Sequence, residues 1–359
     1  MRLPRTLHPG AWWAWALALA VAAGHTTNPI LLALIIAIVA FVVASRRGDA
    51  PWALAFRLYA CLAAFIVVMR VLFRILLGGQ DGGHVLFTLP RIPLPDFAAG
   101  ITLLGPTSAE ELLGGFYDGL RLAAMVLCVG AANALANPKR MLKAVPGALY
   151  EVGTAVTVAL SVAPQLVESV QRVRRARRLR AGRQGGLRAL KGIAIPVLED
   201  ALSRSLQLAA AMDSRGYGRL GSLTRRTRAL IGCCVLGGLV GVCAGTYGVL
   251  DGTSTVLGVP LLIAGLVVSG AGFVLGGRRI RRSVYRPDPW RWEEIAVVCS
   301  GVGACASLFL TGVVDPGNLV PSLTPLQWPE LSLWHAGSLL LGALPAVLAP
   351  PPELVKAAV

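Results

Sequence analysis

The sequence predicts an all-α integral membrane protein of about eight transmembrane helices, carrying a pair of crossed amphipathic helices on its cytoplasmic side. Three observations predict this. The chain is 55% hydrophobic and 14% charged, with a mean hydropathy of +0.67, too apolar for an ordinary soluble domain. Apolar runs long enough to cross a bilayer recur along most of its length. Basic residues cluster between those runs: residues 172–228 hold fifteen of the 34 Lys and Arg against three acids, Glu199, Asp200 and Asp213, a net +12 of the chain's +16. The predicted organisation is four N-terminal spans (1–143), an interfacial and cytoplasmic segment (144–228) and four C-terminal spans (229–359).

Trp12 to Ala23 and Asn28 to Ala44 form a predicted helical hairpin, turned at His25, Thr26 and Thr27, with Pro29 in the first turn of the second helix. Arg2 and Arg5 ahead of an apolar run resemble a signal peptide, but no cleavage context follows, and the run is read as the first span. Arg46, Arg47 and Arg57 place the next link in the cytoplasm, and with it the N-terminus. The third span, Leu54 to Leu77, contains Arg70 and Arg74 one turn apart, on a face expected to meet protein or a wet interface, because Arg facing lipid is costly. Residues 78–117 are rich in Gly and Pro and poor in basic residues, which predicts an extracytoplasmic loop. Adjacent Glu110 and Glu111 do not share a helix face, so Thr107 or Ser108 followed by acids reads as a helix start rather than a catalytic pair.

Asp118 to Ala136 is the fourth span, closed by Lys139, Arg140 and Lys143. Ala144 to Ala163 is apolar, yet basic signals flank it on both sides, so a helix lying against the membrane interface is expected there rather than a crossing. Four further runs follow, at about 230–250, 256–275, 295–313 and 333–348. Arg278, Arg279, Arg281, Arg282, Arg286 and Arg291 put the link 276–291 inside, and the Lys- and Arg-free loop 314–332 lies outside. Alternation then closes with both termini cytoplasmic.

Within the basic segment, Leu166, Val170, Val173 and Ala176 or Leu179 recur at helical period over residues 165–182. A Gly-rich break at 183–186 follows. A second amphipathic pattern begins near Pro196, with Leu198, Leu202, Ser205, Ala209 and Met212 on one stripe and Glu199 and Asp200 at the N-terminal end. Ser205 and Ala209 form a small-x-x-x-small surface on which the two helices are expected to cross. Each helix ends in Arg beside Gly, at Arg180-Ala181-Gly182 and at Ser214-Arg215-Gly216. Each end alone is a capping signature. As a repeated pair they read as two protruding Arg plugs for partner grooves, since the planar guanidinium binds carboxylates or carbonyls at two points.

Several function classes are excluded. The seven cysteines lie in apolar stretches without a Cys-x-x-Cys pair, the four histidines are scattered, and neither a metal site nor a cofactor is expected. No catalytic constellation is present, and without a Gly-x-x-x-x-Gly-Lys loop the chain has no phosphate cradle of its own. The basic residues fit membrane orientation better than nucleic acid. A self-sufficient secondary transporter would carry mid-membrane ionisable groups, which are scarce outside the third span. A membrane anchor binding anionic lipid through the basic segment leaves the twinned helix ends unexplained.

The run from Val162 to Gly182, then Ala209-Ala-Ala-Met-Asp-Ser-Arg-Gly-Tyr-Gly-Arg219, with Leu7-His8-Pro9, Asn28-Pro29 and Asn137-Pro138, resembles the transmembrane (T) component of energy-coupling factor transporters, also called the cobalt-transport transmembrane protein family. The resemblance covers roughly residues 7–250. It implies a non-enzymatic subunit of an importer in the cell membrane, with two ABC ATPases and a small substrate-binding membrane (S) subunit as partners and a vitamin or transition-metal ion as cargo. Two coupling helices of the family each dock an Arg of an Ala-Arg-Gly motif into one ATPase. The second motif maps onto Ser214, Arg215 and Gly216; the first is divided between Arg177 and Arg180, with Gly182 following.

Overall fold

The computed structural model describes residues 5–48, 55–77, 84–90, 92–93, 102–143, 150–180, 187–216, 224–251, 258–278 and 288–351. The helices in chain order are α1 (Pro9–His25), α2 (Pro29–Arg46), α3 (Ala55–Leu77), α4 (Ala109–Leu135), α5 (Pro138–Lys143), α6 (Tyr150–Arg180), α7 (Leu187–Ser214), α8 (Arg225–Asp251), α9 (Val259–Arg278), α10 (Trp292–Val314), α11 (Leu333–Leu340) and α12 (Pro345–Leu348). They pack as two compact units, one of residues 1–141 with 287–359 and one of residues 142–286. Helices α8 and α9 fall in the second unit, and α10 to α12 in the first with α1 to α4.

Seven helices are long and apolar enough to cross a membrane, and the chain is a multi-pass membrane protein. Six of them (α2, α3, α4, α8, α9 and α10) fall on predicted spans; the seventh is Val152–Ala176 of α6. The 17-residue α1 and the Leu333–Leu348 run are shorter.

In the first unit the helix starts follow local chemistry. His8 caps α1 by accepting from the Gly10 N–H, and Asn28 caps α2 by accepting from the Ile30 N–H, each with proline next. Ser108 and Glu111 form a reciprocal capping box, so α4 begins nine residues ahead of the expected Asp118. Before it, the loop forms two small antiparallel pairings, β1 (Val85–Thr88) with β4 (Pro106–Ser108) and β2 (Ile92–Pro93) with β3 (Thr102–Leu103).

The core of this unit is built on α1 and α2. Trp15, Leu19, Leu31, Leu32, Ile35 and Val39 are completely or almost completely buried, and Val297, Ala304, Leu308 and Leu339 of the C-terminal helices share that core. The indole of Trp15 donates to the Gly342 carbonyl at 3.0 Å. At one end of the unit Arg5 pairs with the fully buried Glu294 at 2.6 Å, Arg46 donates to the Ala346 carbonyl, and Arg140 binds Thr6 and Asp288. At the other end Asn28 donates to the Asn318 and Glu330 carbonyls at 2.8 and 2.9 Å, and Arg121 donates to the Gly24 carbonyl. These two groups of ends are the ones that the charge alternation predicts to lie on opposite faces of the bilayer.

The second unit departs from expectation in two places. A separate interfacial helix over 144–163 and a new helix from Gln165 are instead one helix, α6, of 31 residues, with Pro164 inside it. The second amphipathic helix starts at Leu187 rather than near Pro196, which is also interior. Proline removes one backbone hydrogen bond and favours a helix start, but a long helix can absorb that loss. Residues 144–149 and the expected Gly-rich break at 183–186 lie outside the described residues.

Helices α8 and α9 of this unit pack with their backbones close together. A Cβ at Gly238 would collide with the Ser269 backbone, one at Gly245 with Leu262, and one at Gly265 with Val242 and Gly238. Small residues at this spacing allow dispersion contacts between helices where lipid offers no competing hydrophobic gain. Gly245→Leu is expected to cost about 1–3 kcal/mol by overpacking, read as a lower melting temperature of the full chain, whereas Gly237→Leu, where no atom stands within 4 Å of an added Cβ, leaves it unchanged.

Candidate functional site

The polar contacts joining α6 to α7 converge on one carboxylate. Asp200 accepts from the Ser169 hydroxyl at 2.7 Å, from Arg204 Nε at 3.0 Å and from Arg172 at 3.3 Å. Arg204 also reaches Gln165 Oε1 at 3.3 Å. Ser169 and Arg172 are three residues apart on α6, and Asp200 and Arg204 four apart on α7, so each pair shares a helix face. Ser169 is buried, while Asp200 is about one-third exposed.

This geometry corrects one expectation. Asp200 does not sit at a helix N-terminus, because α7 begins thirteen residues earlier; its charge is held by α6 and by Arg204 instead of the dipole. Ser205 and Ala209 are exposed on α7, and the Ser205 hydroxyl donates to the Leu202 carbonyl at 2.8 Å. Sequence reasoning passed over Ser169, Arg172 and Arg204, whose signal was their i, i+3 and i, i+4 pairing within two amphipathic helices.

The Ser169 hydrogen bond first, then Arg204 and Arg172, hold the Asp200 carboxyl below its ordinary value. A lowered folded-state pKa contributes stability that is present above the unfolded value, about 3.9, and is lost as pH falls through the folded value. Asp200→Asn is therefore expected to lower the melting temperature of the chain by the same amount at pH 7 and pH 5. The gap should close only below about pH 4.

Ser214, Arg215 and Gly216 of the second predicted motif lie at the end of α7. Ser214 is the last helical residue, and its hydroxyl returns to the Ala211 carbonyl at 2.9 Å. The N–H groups of Arg215 and Gly216 donate to the Met212 and Asp213 carbonyls at 3.2 and 2.9 Å. Gly216 has φ +74, the left-handed conformation of a helix cap, and no neighbour stands where a Cβ would be, so the backbone conformation alone asks for glycine. Arg215 is exposed just ahead of it. At the first motif, α6 runs helically through Arg177 to its end at Arg180; the side chains of both and all of Gly182 lie outside the described residues.

An exposed apolar stripe completes α7. Ile195, Leu198, Leu202 and Leu206 recur along one side of the helix and are each more than 60% exposed. Elsewhere, Glu110 accepts from the His84 backbone and ring, which fixes the loop to the start of α4. Among the described residues no group of three or more His, Cys, Asp or Glu is placed to hold a metal. A family model described as CbiQ, cobalt transport protein, matches residues 1–225. No curated protein matches the chain.

Proposed function

The chain belongs to the CbiQ cobalt transport protein family, and on that premise we propose that it is the coupling subunit of an energy-coupling factor importer, passing ATP-driven motion of two cytoplasmic ABC ATPases to a small substrate-binding membrane subunit. The cargo class is a transition-metal ion such as cobalt, or a vitamin. The observation that carries the reading is the α6–α7 pair: two long helices tied at Asp200, one ending in an exposed Arg215 ahead of a left-handed glycine. Arg177 or Arg180 at the end of α6 serves as the matching plug, and Gly182 follows it as the cap. The exposed stripe Ile195–Leu198–Leu202–Leu206 faces the substrate-binding subunit or the membrane interface.

The division of labour follows from the chain's chemistry. Lacking a phosphate cradle, it takes its work from the partners' hydrolysis. Two plugged helix ends that move with the closing ATPases transmit displacement only if the helices move together, and the Asp200 contacts supply that link. In the orientation that places Arg5, Arg46 and Arg140 inside, both termini and the coupling helices are cytoplasmic. The ionisable groups of α4 have structural partners, Asp118 in Arg74 and Arg121 in the Gly24 carbonyl, and so do not resemble a vacant ion-coupling site.

The test is reconstitution. Purified alone in liposomes, the chain is expected to give no uptake of cobalt or vitamin with or without external ATP. Co-purification from the native membrane should bring two ATPases and one small membrane protein. Uptake by the chain alone, driven by a proton or sodium gradient, would overturn the proposal in favour of a secondary transporter.

A further inference from the structure

We infer that Arg70 and Arg74 of α3 form a binding site for the phosphate of one anionic phospholipid, in the leaflet at the His25 end of the first unit. The site is built by the α3–α4 hairpin. An added Cβ at Gly115 would stand 2.6 Å from Arg74 Cγ, and one at Gly119 would stand 3.2 Å from Arg70 Cβ. Gly115 thus leaves room for the Arg74 stem, and Gly119 admits the α3 backbone at Val67, 3.0 Å from an added Cβ, with Arg70 Cβ beside it. No backbone turn calls for these glycines; they lie inside a helix, where glycine costs about 0.5–1 kcal/mol relative to alanine. The cost is offset by admitting the Arg74 stem and the α3 backbone at a helix–helix contact.

The charges at this contact do not cancel. Arg74 reaches Asp118 Oδ2 at 3.5 Å, with the two side chains 48% and 37% exposed. Arg70 is exposed and has no hydrogen-bond or ion partner among the described residues. Arg121, the next cation along α4, is committed to the Gly24 carbonyl. Among the described residues one surplus positive charge remains, the complement of a single phosphodiester.

Depth and surroundings favour a lipid. Seven positions before the end of α3 at Leu77, Arg70 lies about 10 Å below that end. The 23-residue helix is about 34 Å long against a hydrocarbon core of about 30 Å. An Arg at that depth can carry its head to phosphate level, and an unpaired one in hydrocarbon is costly. Leu72, Phe73 and Leu77 beside the pair are exposed, offering acyl chains an apolar surface next to the cation. A phospholipid supplies phosphate and acyl chain in one molecule; a soluble phosphate does not.

The experiment titrates the full chain, purified in a mild non-ionic detergent, with phosphatidylglycerol and counts bound lipid by native mass spectrometry. Wild type is expected to retain the lipid, R70Q to bind it about fivefold more weakly, and R70K to recover most of the loss. D118N frees Arg74 and is expected to bind more tightly, an opposite sign that misfolding cannot produce. Diacylglycerol, which lacks the phosphate, is expected to bind no wild-type chain above background. Unchanged phosphatidylglycerol binding in both R70Q and D118N would overturn the site, as would equal binding of diacylglycerol. A photo-crosslinker at position 70 that captures a protein rather than lipid in the native membrane would assign the charge to a partner's carboxylate and also overturn it.

Discussion

Arg215→Glu is expected to abolish co-purification of the ATPases and, with it, ATP-driven uptake, while leaving the chain in the membrane. Arg215 is exposed just past the last helical residue of α7, and its substitution disturbs no buried contact. A guanidinium seated in a partner groove typically costs about 2–5 kcal/mol to remove when it forms a desolvated, hydrogen-bonded pair. Reversing its charge adds repulsion from the groove's acceptors, so a loss of more than a hundredfold in affinity is expected at about 3 kcal/mol. Arg215→Lys keeps the charge but not the two-point fork and is expected to fall between. Gly216→Ala retains Arg215 and strains the φ +74 conformation by about 1–2 kcal/mol, which should misdirect the plug without removing it. The same reversal at Arg177 and at Arg180 then identifies the first plug, since only one should reproduce the loss seen at Arg215. Full ATPase association and uptake in Arg215→Glu would refute the docking role.

The features legible in the sequence were those with local chemistry. The Asn28-Pro29 and Ser108-x-x-Glu111 starts, and the left-handed Gly216, each follow from one or two residues satisfying backbone groups at a helix end. Most spans were legible because hydropathy registers length directly. What local chemistry could not reveal was which distant residues meet. Asp200 looked like a dipole partner because Pro196 looked like a start; only the helix continuing back to Leu187 turns that carboxylate toward Ser169 and Arg172. The runs 295–313 and 333–348 read only as further spans, yet their Val297, Leu308 and Leu339 lie in one core with Trp15 and Ile35, more than 250 positions away in sequence.

That long-range attachment yields the second large expected effect. Glu294 is fully buried and accepts from the Arg5 guanidinium at 2.6 Å, from the His8 N–H at 3.3 Å and from the Arg291 N–H at 3.0 Å. It therefore joins the N-terminal segment to the start of α10, and Arg140 bridges Thr6 and Asp288 beside it. Glu294→Leu leaves Arg5, three-quarters buried, with Glu293 at 3.8 Å as its remaining acid, and is expected to cost about 3 kcal/mol, the low end for removing one partner of a buried ion pair. Glu294→Gln keeps an acceptor for the two backbone donors and should cost less. The paired change Arg5→Leu with Glu294→Leu removes both charges and is expected to recover a large part of the loss, because the desolvation penalty disappears with the charges. Melting temperatures of wild type, Arg5→Leu, Glu294→Leu and the double variant in detergent close this cycle. Additive losses in the double variant would mean that Arg5 and Glu294 act independently and that α10 is held to the N-terminal helices by the apolar core alone.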